Sequence, residues 1–576
     1  MPGGLLALVC YGNENVMING NPQVTWFYKA FQRYTHFSQE PIQIPLEGPS
    51  QLMMDAPILL KAKIPRQGDL LSDLVLRIQL PDIFSKAYIT QDFPGNFILD
   101  RAYEFAWVRQ VGVRMIDTVT FTIGGQIMQE FTSDWIGARA LLDLDDSKYQ
   151  QWRAMVGDLP ELFDPAQGIY ADTSAAGGSL GAYPNVVAWQ GTTNLPNPVQ
   201  NSAPSIPGRL LRIPLGLWFS DFIANSLPLV GLQYHDCEIQ IRMRPIRDLY
   251  TVLDPYRNRL RPGTQLLSYL PTDQYTSVWN QDWYGPMPPT LNNNYGTFSD
   301  PRATIRHFLT DISGSIPSSD SWPLNATLEA TYTFVRTEEQ LQFAKTTLRY
   351  NVRQAQNFIF SGVTTRSTYR LDVHNIATRL VYFARRSDSL PFRNQPTNLT
   401  NWINPQGSLR PVAIGGAPDG SSGYGITPNY VTVNGMPSVP IGRSGINLQG
   451  LQRRILRNMF LTANGQPLFD AQDSAYFNEY VPYQYLRGNS APYADYGLAS
   501  QAEMWPLHVF SFAVDGSSVE QPKGTLNTSR VDRLEMDLDV ETIPTGARYT
   551  YELQVFVETL NFLEISNGLG GLKFAK

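Results

Sequence analysis

Cysteine is nearly absent from this 576-residue chain: Cys10 and Cys237 are too few and too far apart for a disulfide framework or a CxxC metal knuckle, which fits a reducing compartment. Charge is scarce as well. Asp, Glu, Lys and Arg supply 17% of the residues, against roughly 25% in ordinary soluble proteins, so much of the surface is expected to be covered by neighbours. The formal net charge is −6 and no run of Lys and Arg tracks a phosphate backbone, which disfavours direct binding of nucleic acid. No apolar run reaches the ~18 residues that span a bilayer. The apolar stretch from Leu5 to Cys10 also lacks a basic flank, so neither a signal peptide nor a membrane span is expected.

Histidine is equally sparse. His36, His235, His307, His374 and His508 form no HxxxH or HExxH spacing, so no metal and no cofactor is expected. Asp236 and Glu238 beside His235 hint at acid–base chemistry, but His235 stands where an alternating strand begins. A structural histidine with its hydrogen bonds satisfied is the expectation, and no catalytic residue is assigned. The glycine-rich stretch from Gly415 to Gly425 lacks the GK[ST] ending of a phosphate-binding loop and reads as surface loop. Sequons occur at Asn325, Asn398 and Asn527; without a signal peptide they read as chance, with Asn398 the candidate for an outer-loop sugar.

Glycine (44) and proline (42), by contrast, are abundant and suit many turns and long ordered loops. Between the turns, period-2 alternation recurs: Thr118 to Ile123, Glu238 to Arg244, Glu535 to Val540 and Tyr551 to Val555 each read as a strand with one buried face. An antiparallel sandwich is favoured over a parallel sheet, because no βαβ rhythm is present. Two helices are predicted. One starts at Thr337, where Thr337 to Gln340 offers a capping box. The other runs from about Asp134 to Met155 with Trp135, Ala138, Leu142, Tyr149 and Trp152 as its apolar stripe, packing against a sheet end.

The order of elements repeats. A strand ending at Arg244 is followed, after an insertion, by Ala330 to Phe334 and then the Thr337 helix; in the second half, Met536 to Val540 is followed by Tyr549 to Val557 and a glycine-rich tail at Asn567. This reads as two diverged copies of one fold meeting near residue 350, as the length also favours. Pro160 to Pro207, Arg247 to Pro323 and Ser387 to Gly450 read as too irregular for strand cores and, given their aromatic content, as loops ordered by subunit contact.

Several blocks carry a family resemblance: GGLLALVCYG and GNPQVTWFYKAFQRYT near the start, with Gly20, Asn21 and Pro22; Gly68-Asp69-Leu70-Leu71; Ile116 to Gly125-Gln126; and Leu227-Pro228 through Gln233 and His235. Further on come Tyr332 to Ala344, His374 to Phe383, Tyr476-Phe477-Asn478, Pro506 to Phe512, and finally NFLEISNGLGGLKFAK. The most specific is Gln521-Pro522-Lys523-Gly524-Thr525-Leu526-Asn527-Thr528-Ser529-Arg530-Val531-Asp532. In order and content these resemble the double jelly-roll major capsid proteins of nucleocytoplasmic large DNA viruses, whose QPSGTxNFSRID block this chain varies at Lys523 and Thr528. By its residues the block is a turn presenting hydroxyls before an Arg530–Asp532 pair. A local turn-stabilising network is expected there over a direct assembly contact.

The resemblance implies an all-β fold of two tandem eight-stranded antiparallel jelly rolls with long loops and a few short helices. The expected layout is an arm over residues 1–24, a first roll over 25–336 with long insertions, a connecting helix over 337–350, and a second roll with its tail over 351–576. It further implies no enzyme but a homotrimeric capsomer tiling an icosahedral virion shell, assembled in the host cytoplasm. The implied partners are its own neighbouring copies, minor capsid and penton proteins, and the inner viral membrane. The alternatives are a carbohydrate-binding or carbohydrate-cleaving sandwich and a minor capsid component.

Overall fold

The structure, a computed structural model, describes residues 3–29, 31–93, 96–100, 105–163, 165, 186–189, 204–253, 259–262, 304–311, 315–391, 394–399, 455–488, 507–518, 520–543 and 549–574. Among the described residues, the two main sheets of the first half are antiparallel and face each other, built on β1 (Phe37–Pro45), β2 (Ile58–Lys63), β3 (Leu70–Gln79), β4 (Ile116–Ile123), β5 (Gln126–Thr132), β6 (Leu210–Pro214), β7 (Cys237–Met243) and β8 (Ala326–Val335). One sheet runs β1-β8-β3-β6 and the other β2-β7-β4-β5, the strand order of a jelly roll.

The second half repeats this strand for strand. Its strands are β9 (Leu348–Val363), β10 (Ser367–Leu371), β11 (Ile376–Arg386), β12 (Leu456–Ala463), β13 (Gln466–Pro467), β14 (His508–Ser511), β15 (Leu534–Val540) and β16 (Tyr551–Ser566). The paths are β9-β16-β11-β14 and β10-β15-β12-β13, so each strand n of the first roll has its counterpart at n+8. Short pieces extend these paths, among them Leu227–Pro228 on β3 and Leu526–Asn527 on β11.

Where the alternation is strict, one face is buried: Ile239, Ile241 and Met243 on β7, and Met536, Leu538 and Val540 on β15. The same pattern misleads at Tyr551 to Val555. Both faces of β16 are covered there, and Gln554 and Glu558 are as buried as their apolar neighbours. The segments read as too irregular for strands also contain some: Val186–Trp189 lies parallel to Lys86–Phe93, Tyr250–Leu253 pairs with Phe105–Trp107, and Ser321–Pro323 pairs with Gln51–Met53. The aromatics Tyr269, Trp279, Trp283, Tyr424 and Tyr430, and the glycine-rich stretch from Gly415, lie outside the described residues.

The helix expected over 134–155 is two helices, α1 (Ser133–Asp143) and α2 (Asp146–Val156). Leu144 turns extended, and Asp145 caps the second helix by accepting the Lys148 N–H at 2.8 Å, so the break has a local chemical cause. The expected stripe is buried, but α1 lies between the two rolls rather than at a sheet end: Trp135 packs on Phe556 with ring centroids 5.3 Å apart. One apolar core runs through the first roll and across this seam to Val381, Phe383, Val509 and Phe556, while a second fills the inside of the second roll.

Helix α3 (Thr337–Lys345) follows β8. Its expected capping box is not made, because Arg336 occupies the N-cap and Gln340 turns to Asp69 instead. Asp69 is the real organiser. Its carboxylate accepts the Val335 N–H at 2.9 Å and the Gln340 amide at 3.0 Å, while its carbonyl accepts the Val230 N–H at 3.2 Å. Beside it, a Cβ on Gly68 would fall 2.7 Å from the Cβ of Tyr332, whose hydroxyl is held at 2.7 Å by the Pro65 carbonyl. Gly68→Ala is therefore expected to destabilise the chain by about 1–3 kcal/mol, read from its urea midpoint; an unchanged midpoint would mean that Tyr332 can step aside.

Candidate functional site: the seam between the rolls

The seam is built on a sheet face that strand alternation turns outward. Along β11, Leu380, Tyr382 and Ala384 face the second roll's own core, whereas Val381 and Phe383 face the first roll. A strand covered on both faces must also bury its polar residues, and such groups survive only when paired. Arg379, fully buried, meets that demand twice over: it donates to both Asp143 oxygens at 2.6 and 2.9 Å and to Glu558 at 3.0 Å. Arg353 on β9 donates to the other Glu558 oxygen at 2.6 Å and lies 3.5 Å from Asp143. Asp143 closes α1 and also faces Arg139, which pairs with Asp221.

A second cluster lies alongside, where Asp134 pairs with Arg114 in the first roll and stands 3.5 Å from Arg385 of β11. Backbone groups join in. Gln354 donates to the Met128 carbonyl at 2.6 Å, and Gln129 donates back to the Arg353 carbonyl at 2.5 Å, tying β5 to β9. Burial pushes the Asp143 and Glu558 carboxyls up, but the facing Arg379 and Arg353 outweigh it and hold both below the usual carboxylate range.

At one end of the seam a β-hairpin of the second roll docks on the first. Leu569–Leu572 folds back on β16 through an Asn567–Gly568 turn with φ of 52° and 81°, as a type I′ turn requires. His235 Nδ1 sits 3.0 Å from the Gly570 carbonyl and 3.2 Å from its N–H, and Tyr234 N–H donates to the Gly568 carbonyl at 3.0 Å. The Gly124–Gly125 turn supports the ring: both glycines have positive φ, and a Cβ on Gly124 would strike His235 at 2.6 Å. Gln233 is in the same contact, opposite Gly568.

The remaining motif residues lie elsewhere. Pro228 is buried beside Leu70. Gly20, Asn21 and Pro22 follow the helix Asn13–Asn19, with Asn21 left-handed, and the first strand starts fifteen residues later at Phe37. Gln521, Pro522, Gly524 and Thr525 form an exposed loop, in which a Cβ on Gly524 (φ 122°) would fall 3.1 Å from Phe512 O and Lys523 donates to Asp515 at 2.8 Å. Thr528 is buried on the Asn375 carbonyl, and Ser529 is bound by its neighbour Asn527. No ion pair joins Arg530 and Asp532, both exposed, among the described residues. Asn398, the sequon considered for a sugar, is buried and donates to Gln395 at 3.0 Å.

Two family profiles match nearly the whole of this architecture: "Major capsid protein N-terminus" over residues 25–277 and "Large eukaryotic DNA virus major capsid protein" over 339–571. The chain belongs to the major capsid proteins of large eukaryotic DNA viruses. The capsid protein is 23% identical to the major capsid proteins of Chrysochromulina ericina virus and Paramecium bursaria Chlorella virus 1, in each case over the full length of both chains. Its fold is shared with the PBCV-1 capsid (18% identity, TM-score 0.56, 96% of this chain and all of the other) and with the Faustovirus major capsid protein (14%, TM-score 0.57, 98% and 96%).

Two outcomes follow from the seam of this capsid protein. Arg379→Met removes the guanidinium that both buried carboxylates share, leaving Asp143 and Glu558 to Arg353 and Arg139, and is expected to cost about 3–5 kcal/mol in urea denaturation; a loss under about 1 kcal/mol, the worth of an exposed pair, would show that the seam is wet. Because the folded carboxyls titrate below their ordinary values, their stabilisation is complete above about pH 4 and is lost as pH falls through the folded values. The thermal midpoint should accordingly drop on acidification below about pH 4, and less steeply in Asp143→Asn/Glu558→Gln.

Proposed function

We propose that this major capsid protein works as a pre-locked tile, three copies of which close into a capsomer of nearly hexagonal outline that paves the virion shell. The observation that carries this is the strand-for-strand repetition held in one fixed relation by the seam. One chain presents two equivalent sandwiches, so threefold closure yields six similar units with sixfold-like edges. Contacts within the trimer should bury well over ~1,200 Å² and resemble a domain core, while contacts between trimers should be smaller and more polar, allowing misplaced units to leave. Further partners in this reading are minor capsid and penton proteins and an inner viral membrane, with assembly in the host cytoplasm and no chemistry performed by the chain.

Light scattering on the purified chain is expected to give about 194 kDa, three times the 64.7 kDa chain mass, with a hexagonal outline in negative stain. A stable species at 64.7 kDa would overturn the trimer.

A further inference from the structure

The residues before β1 are unlike the rest of the molecule. Every described residue from 3 to 36 is exposed, although the segment is rich in large apolar side chains. Trp26 is 91% exposed, Phe27 98% and Phe31 85%, and Leu8, Val9, Met17, Ile18, Tyr28 and Tyr34 are also in water. Exposed apolar area of this kind marks a surface that something covers.

The chemistry of the segment says what. Between Glu14 and Glu40 there is no carboxylate, while Lys29 and Arg33 interleave with Trp26, Phe27, Tyr28, Phe31 and Tyr34. Aromatic rings mixed with cations are the composition of the membrane–water interface, where the rings sit at headgroup level and Lys or Arg meets anionic lipid. A protein groove takes one face of a peptide, every second residue of a strand or every third and fourth of a helix. Here Trp26, Phe27 and Tyr28 are consecutive and all at least 74% exposed, which suits a medium that surrounds the segment. The helices Gly3–Val9 and Asn13–Asn19 add Leu5, Leu6, Leu8, Val9, Val16, Met17 and Ile18, and each is far too short to cross a bilayer.

From this we infer that residues 3–36 form an interfacial anchor that lies in the headgroup region of an anionic lipid bilayer, with Trp26, Phe27 and Phe31 as wedges and Lys29 and Arg33 as headgroup contacts. The inference rests on the capsid reading only in placing a bilayer beside the subunit. It gives the shell a direct attachment to lipid through the capsid subunit itself.

Flotation of the full chain with phosphatidylcholine–phosphatidylserine vesicles tests it, with light scattering on the same preparation. The wild type should float. Trp26→Ser/Phe27→Ser/Phe31→Ser should reduce the bound fraction at least about tenfold, and Lys29→Gln/Arg33→Gln about tenfold or more on the anionic vesicles only. Both variants lie before β1, at exposed positions, and should keep the wild-type oligomeric mass. A trimer that does not float, or one that floats equally well with the three aromatics replaced, overturns the anchor and leaves the capsomer standing; a monomer that floats and loses binding with the aromatics supports the anchor and overturns the capsomer.

Discussion

Two carboxylates and two guanidinium groups withdrawn from water together fix the rest of this molecule. Asp143 and Glu558 belong to different halves of the chain, and Arg353 and Arg379 touch both. Apolar surfaces slide past each other at little cost, but a buried ion pair displaced from its partner faces a desolvation penalty with nothing to offset it. The apolar part of the seam supplies adhesion through Trp135, Phe383 and Phe556, and the charged part supplies register. In a subunit whose two halves must present matched edges, register is the property that matters.

Smaller devices serve the same end. The Gly68–Asp69 pair anchors the end of β8 and the start of α3, where the chain leaves the first roll. The hairpin at Asn567–Gly568 reaches back to His235 and the Gly124–Gly125 turn. Among the described residues, the covalent link through α3, the seam and this hairpin all join the two rolls. Residues scattered through the sequence as separate motif blocks prove to be neighbours. Gln126, Gln233 and His235 meet the glycine-rich tail, and their common occurrence has a physical basis in one contact.

The legible part of the fold was the part exposed to water on one side. Strands such as β7 and β15 alternate cleanly, and the motif blocks by themselves resemble the family. The double burial of the seam's strands was not legible: Tyr551 to Val555 reads as a strand, but with one wet face, because period-2 alternation does not report cover on the second face. Nothing in Ile376–Arg386 taken alone says that Arg379 is interior; an arginine in an apolar strand would ordinarily be placed on the wet face. The charge partners are distant in sequence, at Asp143 and Glu558. Two misses had local signals: Asp145 is a good helix N-cap and explains the break before α2, and Asn567–Gly568 is a strong hairpin dipeptide within what reads as a mere tail. The burial of Asn398 had no such signal, since a sequon carries no information about depth.

The continuity of the first core across the seam also changes what the peptide link between the rolls is for. Helix α3 has no buried residue, so it contributes little to holding the halves together. It sets their stoichiometry and keeps the second copy close while the seam forms. Once the ion pairs are in place, a proteolytic cut through this exposed helix would leave two fragments that still behave as one body, much as a riveted joint outlasts the clamp that aligned it.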